Sequence, residues 1–406
     1  MKSKNPTRIN LWSRELDDLR EKGLYRVMPS IAGPPGRKLL VDGREVLNFS
    51  GNNYLGLATH PAVVQAVSRY TQLYGAGSTA SRLIAGNTEA HRELESEIAK
   101  WKDTESALLF GSGYQANLGI ISSLMGSEDL VISDELNHAS IIDGCRLSKA
   151  DVKICCHLDL NQLEDLLRLK GYRRKLLVIE SIFSMDGDQA PLAEIGELCT
   201  RWGALFMVDE AHATGLFGPQ GQGLAAEQSV IPDIQMGTLS KAAGTSGAYV
   251  AGSRELIELL VNRARSLLYS TAAPPGVIGG ALAALNIIAS EEGSMRRKML
   301  KRNVKVFQEL LISRLNYPYG GSHIVPILIG DSSRTMKVSR ECLEQGIFAQ
   351  GIRYPTVPES RARLRLTLMS DHLLEDLEKA TSVLRDVLAM TAVPDPKRQN
   401  IKQAGS

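Results

Sequence analysis

No stretch of the chain approaches the roughly 18 uninterrupted apolar residues that a membrane span needs. The opening residues, MKSKNPTRINLWSREL, hold no apolar core of signal-peptide character, so the sequence predicts a cytoplasmic location. Cysteine is scarce: five residues, at 145, 155, 156, 199 and 342, form an odd and scattered set without a CxxC pair. They read as free thiols in a reducing compartment. The seven histidines show neither HExxH nor any cysteine–histidine ligand spacing, so no metal is expected. Nor does one charge dominate. Forty-seven Lys+Arg against 45 Asp+Glu leave a net +2, which gives no electrostatic footprint for nucleic acid or anionic lipid.

What is present is the composition of an ordinary globular protein: 406 residues, 43% hydrophobic and 23% charged. That excludes disordered and fibrous classes, and length alone suggests two or three domains. No internal repeat is visible. An amphipathic helix carrying Leu11, Leu16 and Leu19 precedes a loop, Ile31-Ala-Gly-Pro-Pro-Gly36. Apolar residues at helical spacing then mark Pro61–Tyr74 and Asn87–Lys102. Short continuous apolar runs follow at Ala107–Phe110, Leu130–Ile132, Val152–Cys156, Leu176–Ile179 and Leu205–Val208. Such runs alternating with crossover segments predict an α/β fold, a mostly parallel central sheet with helices on both faces. After about residue 290 the pattern changes to a long charged helix (Glu291–Arg314), strands at Ile324–Ile329 and Arg363–Leu368, and an amphipathic His372–Met390. This predicts a smaller C-terminal α+β domain. The expected divisions are an N-terminal segment 1–48, a large domain 49–290, a small domain 291–393, and a disordered tail 394–406.

Four places look chemical. Phe110-Gly-Ser-Gly-Tyr-Gln-Ala116 follows a strand and opens a helix, so its amides could close on a phosphate. The same string matches GxGxxA (Gly111, Gly113, Ala116) with Asp134 about 20 residues on, the fingerprint of an NAD-linked dehydrogenase, and a plain tight turn fits it equally. Met207-Val-Asp-Glu-Ala-His212 ends a strand in acids and a histidine, where parallel sheets bind ligands; the bland alternative is a helix cap. Gly237-Thr-Leu-Ser-Lys-Ala-Ala-Gly244 sets one lysine among small residues and hydroxyls, against the base rate for a solvated lysine. Arg361-Ala-Arg-Leu-Arg-Leu-Thr367 places Arg361, Arg363 and Arg365 on one strand face, either solvated or able to clamp a carboxylate. Pattern alone does not choose among the three. Pyridoxal 5′-phosphate (PLP) unites the four: a Schiff-base lysine, an aspartate for the pyridinium nitrogen, a helix N-terminus for the phosphate and an arginine for the amino-acid carboxylate. A dinucleotide explains only the first.

With Leu47-Asn-Phe-Ser-Gly-Asn-Asn-Tyr-Leu-Gly56, Gly77-Ser-Thr-Ala-Ser-Arg-Leu83, Phe183-Ser-Met-Asp-Gly-Asp188, Asp209-Glu-Ala-His212, Thr238-Leu-Ser-Lys241 and Arg363-Leu-Arg-Leu-Thr-Leu368, the chain resembles the α-oxoamine synthases over roughly residues 20–390. These are PLP-dependent transferases of fold type I. The resemblance implies that Lys241 carries PLP as a Schiff base and Asp209 meets the ring nitrogen. It puts His212 and Ser184 at the phenolic oxygen and His138 over the ring face, where it also serves as a general acid. It assigns the phosphate to Gly113, Tyr114 and Thr238, with Thr271 from a partner subunit of a homodimer, and the amino-acid carboxylate to Arg365. Arg26, Asn52 and Thr356 would line the acyl-substrate region. The implied reaction is a decarboxylative condensation of an L-amino acid with an acyl-CoA or acyl-carrier-protein thioester. Thr356-Val-Pro358 and Leu364-Arg-Leu-Thr-Leu368 point to the branch that joins L-alanine to a pimeloyl thioester in biotin biosynthesis, with a glycine-using branch as the alternative.

Overall fold

The structure is a computed structural model that describes residues 6–391, with side chains from residue 12; the expected tail 394–406 and the side chain of Leu11 lie outside the described residues. Seven strands form the central sheet: β1 (Ser106–Phe110), β2 (Leu130–Asp134), β3 (Asp151–Cys155), β4 (Lys175–Glu180), β5 (Leu205–Asp209), β6 (Ile234–Thr238) and β7 (Ala248–Gly252). Their order across the sheet is β1-β7-β6-β5-β4-β2-β3. β7 runs antiparallel to both neighbours while the others share one direction. The expected mostly parallel α/β architecture is therefore present.

The runs of β1, β2, β4 and β5 become strands whose two faces are covered, while β3 lies half-exposed at the sheet edge. Leu176 and Val178 of β4 pack with Ile120, Leu124 and Ile141 from one helical layer. Leu177 and Ile179, pointing the other way, pack with Leu163, Leu167, Ile195 and Leu198 from the opposite layer. Each such fully buried side chain stabilises the fold by roughly 1.5–3 kcal/mol relative to exposure. β6 and β7 carry no apolar run of the kind seen in β4, since small residues interrupt them; the sequence shows only a lysine-bearing loop there. Gly237 explains the choice of a small residue. A Cβ at that position would stand 2.4 Å from the Tyr249 hydroxyl and 2.5 Å from Thr214 Oγ1.

The second layer consists of β8 (Ile324–Gly330), β9 (Gln350–Ile352) and β10 (Ala362–Thr367), ordered β8-β10-β9, with helices Ser332–Glu344 and Leu374–Met390. Helix Glu291–Leu315, started by Ser290 and ended by Asn316 at φ 50°, leads into it. The segment 31–48 does not stand apart. Its strand Arg44–Asn48 pairs in parallel with Ile347–Phe348, and the first turn of the expected loop, Ile31–Ala32, is itself a short strand against Leu40 and Val41.

The dehydrogenase reading fails on topology. It needs β1 and β2 side by side in parallel, whereas four strands separate them. Asp134, which would hold a ribose, is occupied: its oxygens accept from the amides of Leu136 and Leu158 at 2.8 and 3.0 Å. It also meets His157.

His157 lies half-buried between two carboxylates, Nδ1 at 3.0 Å from Asp134 and Nε2 at 2.5 Å from Asp188, and stands edge-on to Phe183 at 4.4 Å. This clamp fastens the loop 183–188 to the sheet. Burial opposes the imidazolium, but the two carboxylates outweigh it and raise its pKa from 6.5 to about 10. A folded-state pKa raised above the unfolded value gives stability that is complete below about pH 6.5 and lost as pH climbs toward 10. His157→Gln should therefore cost about 2 kcal/mol at neutral pH. It should also flatten the fall in melting temperature across that alkaline window. A variant that melts with the same pH profile as the parent would refute the clamp.

Candidate active site

Three parallel strands deliver the site by ending in polar residues at one edge. In register, Glu180 of β4 stands beside Asp209 of β5, and Asp209 beside Met236 of β6, two residues short of Thr238. Asp209 is buried, and among the described residues no lysine or arginine pairs with it. Its Oδ1 accepts from the Ala211 amide at 2.9 Å and its Oδ2 from Asn117 Nδ2 at 2.8 Å. Asn117 also donates to Ser140 Oγ at 2.9 Å, and Ser140 meets His138 Nδ1 at 2.7 Å. One network thus fixes Asp209 and the ring of His138, which also caps helix Ala139–Ser148.

Lys241 follows β6, with its Nζ 3.0 Å from His212 Nε2. Burial pushes the amine down, Asp209 and Glu180 pull it back, and Arg365 adds to the depression; the balance is a pKa of about 8. That value leaves a useful fraction of neutral amine near physiological pH, as a Schiff-base lysine requires. His212 is held well below the ordinary histidine value by burial and then by the cations Lys241 and Arg365, so it is neutral. Burial, with the neighbouring Asp209 charge adding to it, raises Glu180 to about 8.

Helix Gly113–Leu124 opens toward this edge. The Ser112 hydroxyl accepts from the Gln115 amide at 3.2 Å. The amides of Gly113 and Tyr114, as first-turn groups, have no acceptor within the helix. Tyr114 is exposed and its hydroxyl bonds Asp143, so only its backbone is available to an anion. Thr238 Oγ1 bonds Gly247 O at 2.9 Å and Ser240 Oγ at 2.7 Å; of the two hydroxyls, Ser240 is the exposed one. Thr271 is also exposed, held by a bridge to Ser81, and makes no hydrogen bond to the Lys241 cluster.

The three arginines of β10 divide cleanly. Arg361 is exposed, ahead of the strand. Arg363 is buried in an ion pair with Asp186. Arg365 reaches the site: Nε donates to Ser184 O at 2.6 Å, and both terminal nitrogens lie 3.4 Å from Asn52 Oδ1. The strand is buried on both faces, which corrects the solvated-face alternative. Ser184 is fixed from both sides, since its amide donates to Glu180 Oε2 at 3.2 Å. Farther out, Arg26 lies 3.4 Å from Thr356 Oγ1, and the buried Arg353 donates to Tyr25 O at 2.7 Å.

The donor set fits PLP. A buried carboxylate without a cation suits a pyridinium N–H, a free helix start suits a phosphate, and a depressed lysine suits an aldehyde. Two buried oxygens beside Asp209, Asn117 Oδ1 and Glu180 Oε1, have no partner in the protein. Sequence reasoning passed over Tyr54, Asn117, Glu180 and Arg353. Glu180 carried a readable signal, because an acid closes the apolar run Leu176–Ile179 just as Asp209 closes Leu205–Val208.

Residues 44–384 match the family described as aminotransferase class I and II. The chain belongs to that family, and within it to the PLP-dependent acyltransferases known as α-oxoamine synthases. Among curated relatives, the 8-amino-7-oxononanoate synthase of Geobacter sulfurreducens is 48% identical over 375 residues, covering 91% of this chain and 96% of that protein. The enzyme of the same name from Thermoanaerobacter pseudethanolicus is 45% identical, with 93% and 97% covered. In structure the chain is similar to a serine palmitoyltransferase from S. paucimobilis with a bound PLP–myriocin aldimine (TM-score 0.88, 26% identity, covering 96% and 99%). It is also similar to the 8-amino-7-oxononanoate synthase of Francisella tularensis (TM-score 0.74, 27% identity, covering 86% and 99%).

Two outcomes follow from the geometry. The rate at which apoprotein captures PLP should rise with pH through a midpoint at about 8, the pKa of Lys241, and Lys241→Ala should abolish borohydride-fixed cofactor. Fixation on another lysine would refute the assignment. Arg361→Ala should stay within about ±0.5 kcal/mol in stability and bind the amino acid normally. Arg363→Ala should cost about 3 kcal/mol in stability by stranding Asp186. Arg365→Lys should keep the fold yet bind the amino acid at least about tenfold more weakly, because the fork is lost. Amino-acid titration and melting curves on the three proteins distinguish these roles.

Proposed function

We propose that the chain condenses L-alanine with a pimeloyl thioester, of CoA or of a carrier protein, to give 8-amino-7-oxononanoate, CO2 and the free thiol. The observation that carries the choice of acyl group is the pair Arg26 and Arg353. They are close enough for Arg26 to depress Arg353, after the larger effect of burial, and among the described residues neither has a carboxylate partner. Arg353 Nε is buried and unbonded. Two guanidiniums without an acid suit an acyl chain that ends in a carboxylate, which pimelate has and a simple fatty acid lacks. The names of the relatives agree.

Arg365, with Asn52, would clamp the amino-acid carboxylate and hold the Cα–H bond for removal. Lys241, released as a free amine, would take that proton. PLP, when bound, supplies the electron sink for the resulting carbanion, and the Asp209 carboxylate keeps the ring nitrogen protonated. The Cα–C bond forms as the thioester C–S bond breaks; the amino-acid carboxylate then leaves as CO2 and a proton returns to Cα. His138 stands where it can donate to the thioester oxygen. Ser184 and His212 would meet the phenolic oxygen, and Gly113, Tyr114, Thr238 and Ser240 the phosphate. Thr271, exposed and bridged to Ser81, would complete the phosphate site of a second copy in a homodimer.

Holoenzyme is assayed with alanine, glycine and serine against pimeloyl-, heptanoyl- and acetyl-CoA and a pimeloyl carrier protein. Alanine with a pimeloyl donor should lead, and Arg26→Gln should raise KM for the pimeloyl donor about tenfold while leaving heptanoyl-CoA unaffected, as loss of one charged contact predicts. Faster turnover of glycine with acetyl-CoA would overturn the reading.

A further inference from the structure

His138 is held at one nitrogen by two groups of a single residue. Its Nδ1 accepts from the Ser140 amide at 3.2 Å and lies 2.7 Å from the Ser140 hydroxyl. Behind Ser140 stands Asn117, whose Nδ2 donates to Ser140 Oγ at 2.9 Å and to Asp209 Oδ2 at 2.8 Å. Ser140 and Asn117 are each 1% exposed, so water does not compete at either. The helices that carry them touch closely, since a Cβ on Gly144 would stand 2.9 Å from Asn117 O. Among the described residues, no protein group bonds the other ring nitrogen of His138, Nε2.

The hydrogens of this network follow from groups that have no choice. A carboxylate only accepts, so Asn117 must turn its amino group to Asp209, and the second amino hydrogen then faces Ser140 Oγ. The hydroxyl accepts there and keeps its own hydrogen for Nδ1. A backbone amide only donates, so Nδ1 must be a bare lone pair. A neutral imidazole carries one hydrogen, which is therefore on Nε2. Adding a proton would set Nδ1–H against the Ser140 N–H and turn the hydroxyl hydrogen out of its bond. Burial also opposes the cation, and with the Lys241 charge it outweighs the attraction of Asp209. Those charges bear on whether the ring is protonated. Only the contacts at Nδ1 choose between the two nitrogens.

We infer that Ser140 is a positioning residue: its amide and hydroxyl together keep His138 neutral with the hydrogen on Nε2, so that His138 meets the thioester oxygen as a neutral hydrogen-bond donor and surrenders no proton. The inference rests on the proposed place of His138 beside that oxygen. As the Cα–C bond forms, the carbonyl electron pair moves onto oxygen, and Nε2–H offsets the charge that develops there. When the carbonyl re-forms, the C–S bond breaks, the thiolate leaves, and the hydrogen is still on Nε2. The opposite tautomer would set a bare Nε2 against the oxygen, two acceptors face to face. An imidazolium could pass its proton to the oxygen, and the contacts at Nδ1 disfavour that cation.

Holoenzyme labelled with 15N in histidine is examined by long-range 1H–15N correlation, with His138 identified by the signals lost in His138→Asn. The expected pattern is a bare Nδ1 and a protonated Nε2, with no imidazolium across the pH range in which the enzyme turns over. The charged and titratable groups facing the ring are Asp209 and Lys241, with Glu180 at the His138 backbone and His212 close by. Ser140→Ala removes the hydroxyl and leaves one donor to the neutral ring. The protonation midpoint of His138 should then rise by about one pH unit, the scale of one lost hydrogen bond. Ser140→Thr keeps both donors and should restore the parental midpoint. In turnover, Ser140→Ala leaves the ring held by the longer bond alone and should slow condensation about tenfold. Exchange of the alanine α-proton, which needs no thioester, should stay within about twofold of the parent. If a variant fails to fold, the wild-type spectrum still decides. A protonated Nδ1 in the working enzyme, or an unchanged midpoint in a folded Ser140→Ala, overturns the inference. An enzyme that shows the expected hydrogen yet prefers another acyl donor overturns only the proposed substrate.

Discussion

A carboxylate buried without an ion-pair contact among the described residues is the constraint on which this site turns. Asp209 sits at the end of a central strand, out of water; its oxygens accept from an asparagine side chain and a backbone amide, and the Lys241 charge attracts it without an ion-pair contact. Desolvating a lone charge in this way is costly unless something positive arrives. The fold answers the same problem differently one residue later. Glu210, fully buried, is neutralised by the equally buried Lys102, which also donates to Gln222 O at 2.6 Å. Adjacent acids on one turn therefore have opposite fates. Glu210 is locked into structure, and a Cβ on Gly223 would run into it at 2.3 Å. Asp209 is left open to whatever cation enters the cleft. In a PLP enzyme the protonated ring nitrogen meets that need, and its electron-withdrawing power depends on the anion staying close and dry.

Around Asp209 the titratable groups are coupled. A second carboxylate, Glu180, is forced next to it by strand register, and burial together with that neighbour favours its neutral form. Lys241 is drawn down by burial and held up by both acids, and it comes to rest where it can be either nucleophile or base. The histidines nearby are neutral because burial and surrounding cations leave no room for further positive charge.

Much of this was legible in the sequence, and the legible parts share a cause. Strands β1, β2, β4 and β5 announced themselves because a strand buried on both faces must be continuously apolar; β3, a half-exposed edge strand, showed the same kind of run. Asp209 stood out as the acid that breaks such a run, and Lys241 as a long cation among residues too small to pack against it. β6 and β7 were not visible, because the glycines and alanines that let Tyr249 and Thr214 approach also erase the apolar pattern. Strand alternation placed Arg361, Arg363 and Arg365 on one face and could go no further. Family resemblance selected Arg365, and the structure supplies the physical reason: Asp186 has already taken Arg363. Tyr54 and Asn117 gave no local signal at all. Their roles come from partners about 160 and 90 residues away, and an Asn-Tyr in a loop is commonplace.

The assembly of those distant pieces explains why the second layer is built as it is. Thr367, two residues beyond Arg365, hydrogen-bonds the 49–54 segment twice, its amide to Phe49 O at 2.8 Å and its hydroxyl to Gly51 O at 2.6 Å. Ser370 adds a bond from its amide to Tyr54 O at 2.8 Å. His372 then stacks on Phe49 at 4.4 Å and bonds Asn48 O at 3.0 Å. The strand that presents Arg365 is therefore stitched to the segment that presents Asn52 and Tyr54. Arg365 is tied across to the central layer as well, since its Nε donates to Ser184 O at 2.6 Å, so the second layer, the 49–54 segment and the loop after β4 hold the arginine jointly. The Tyr54 hydroxyl, 2.7 Å from His212 Nδ1, adds a second tie, from the 49–54 segment to the turn after β5, so the groups around Lys241 are fixed from both layers at once.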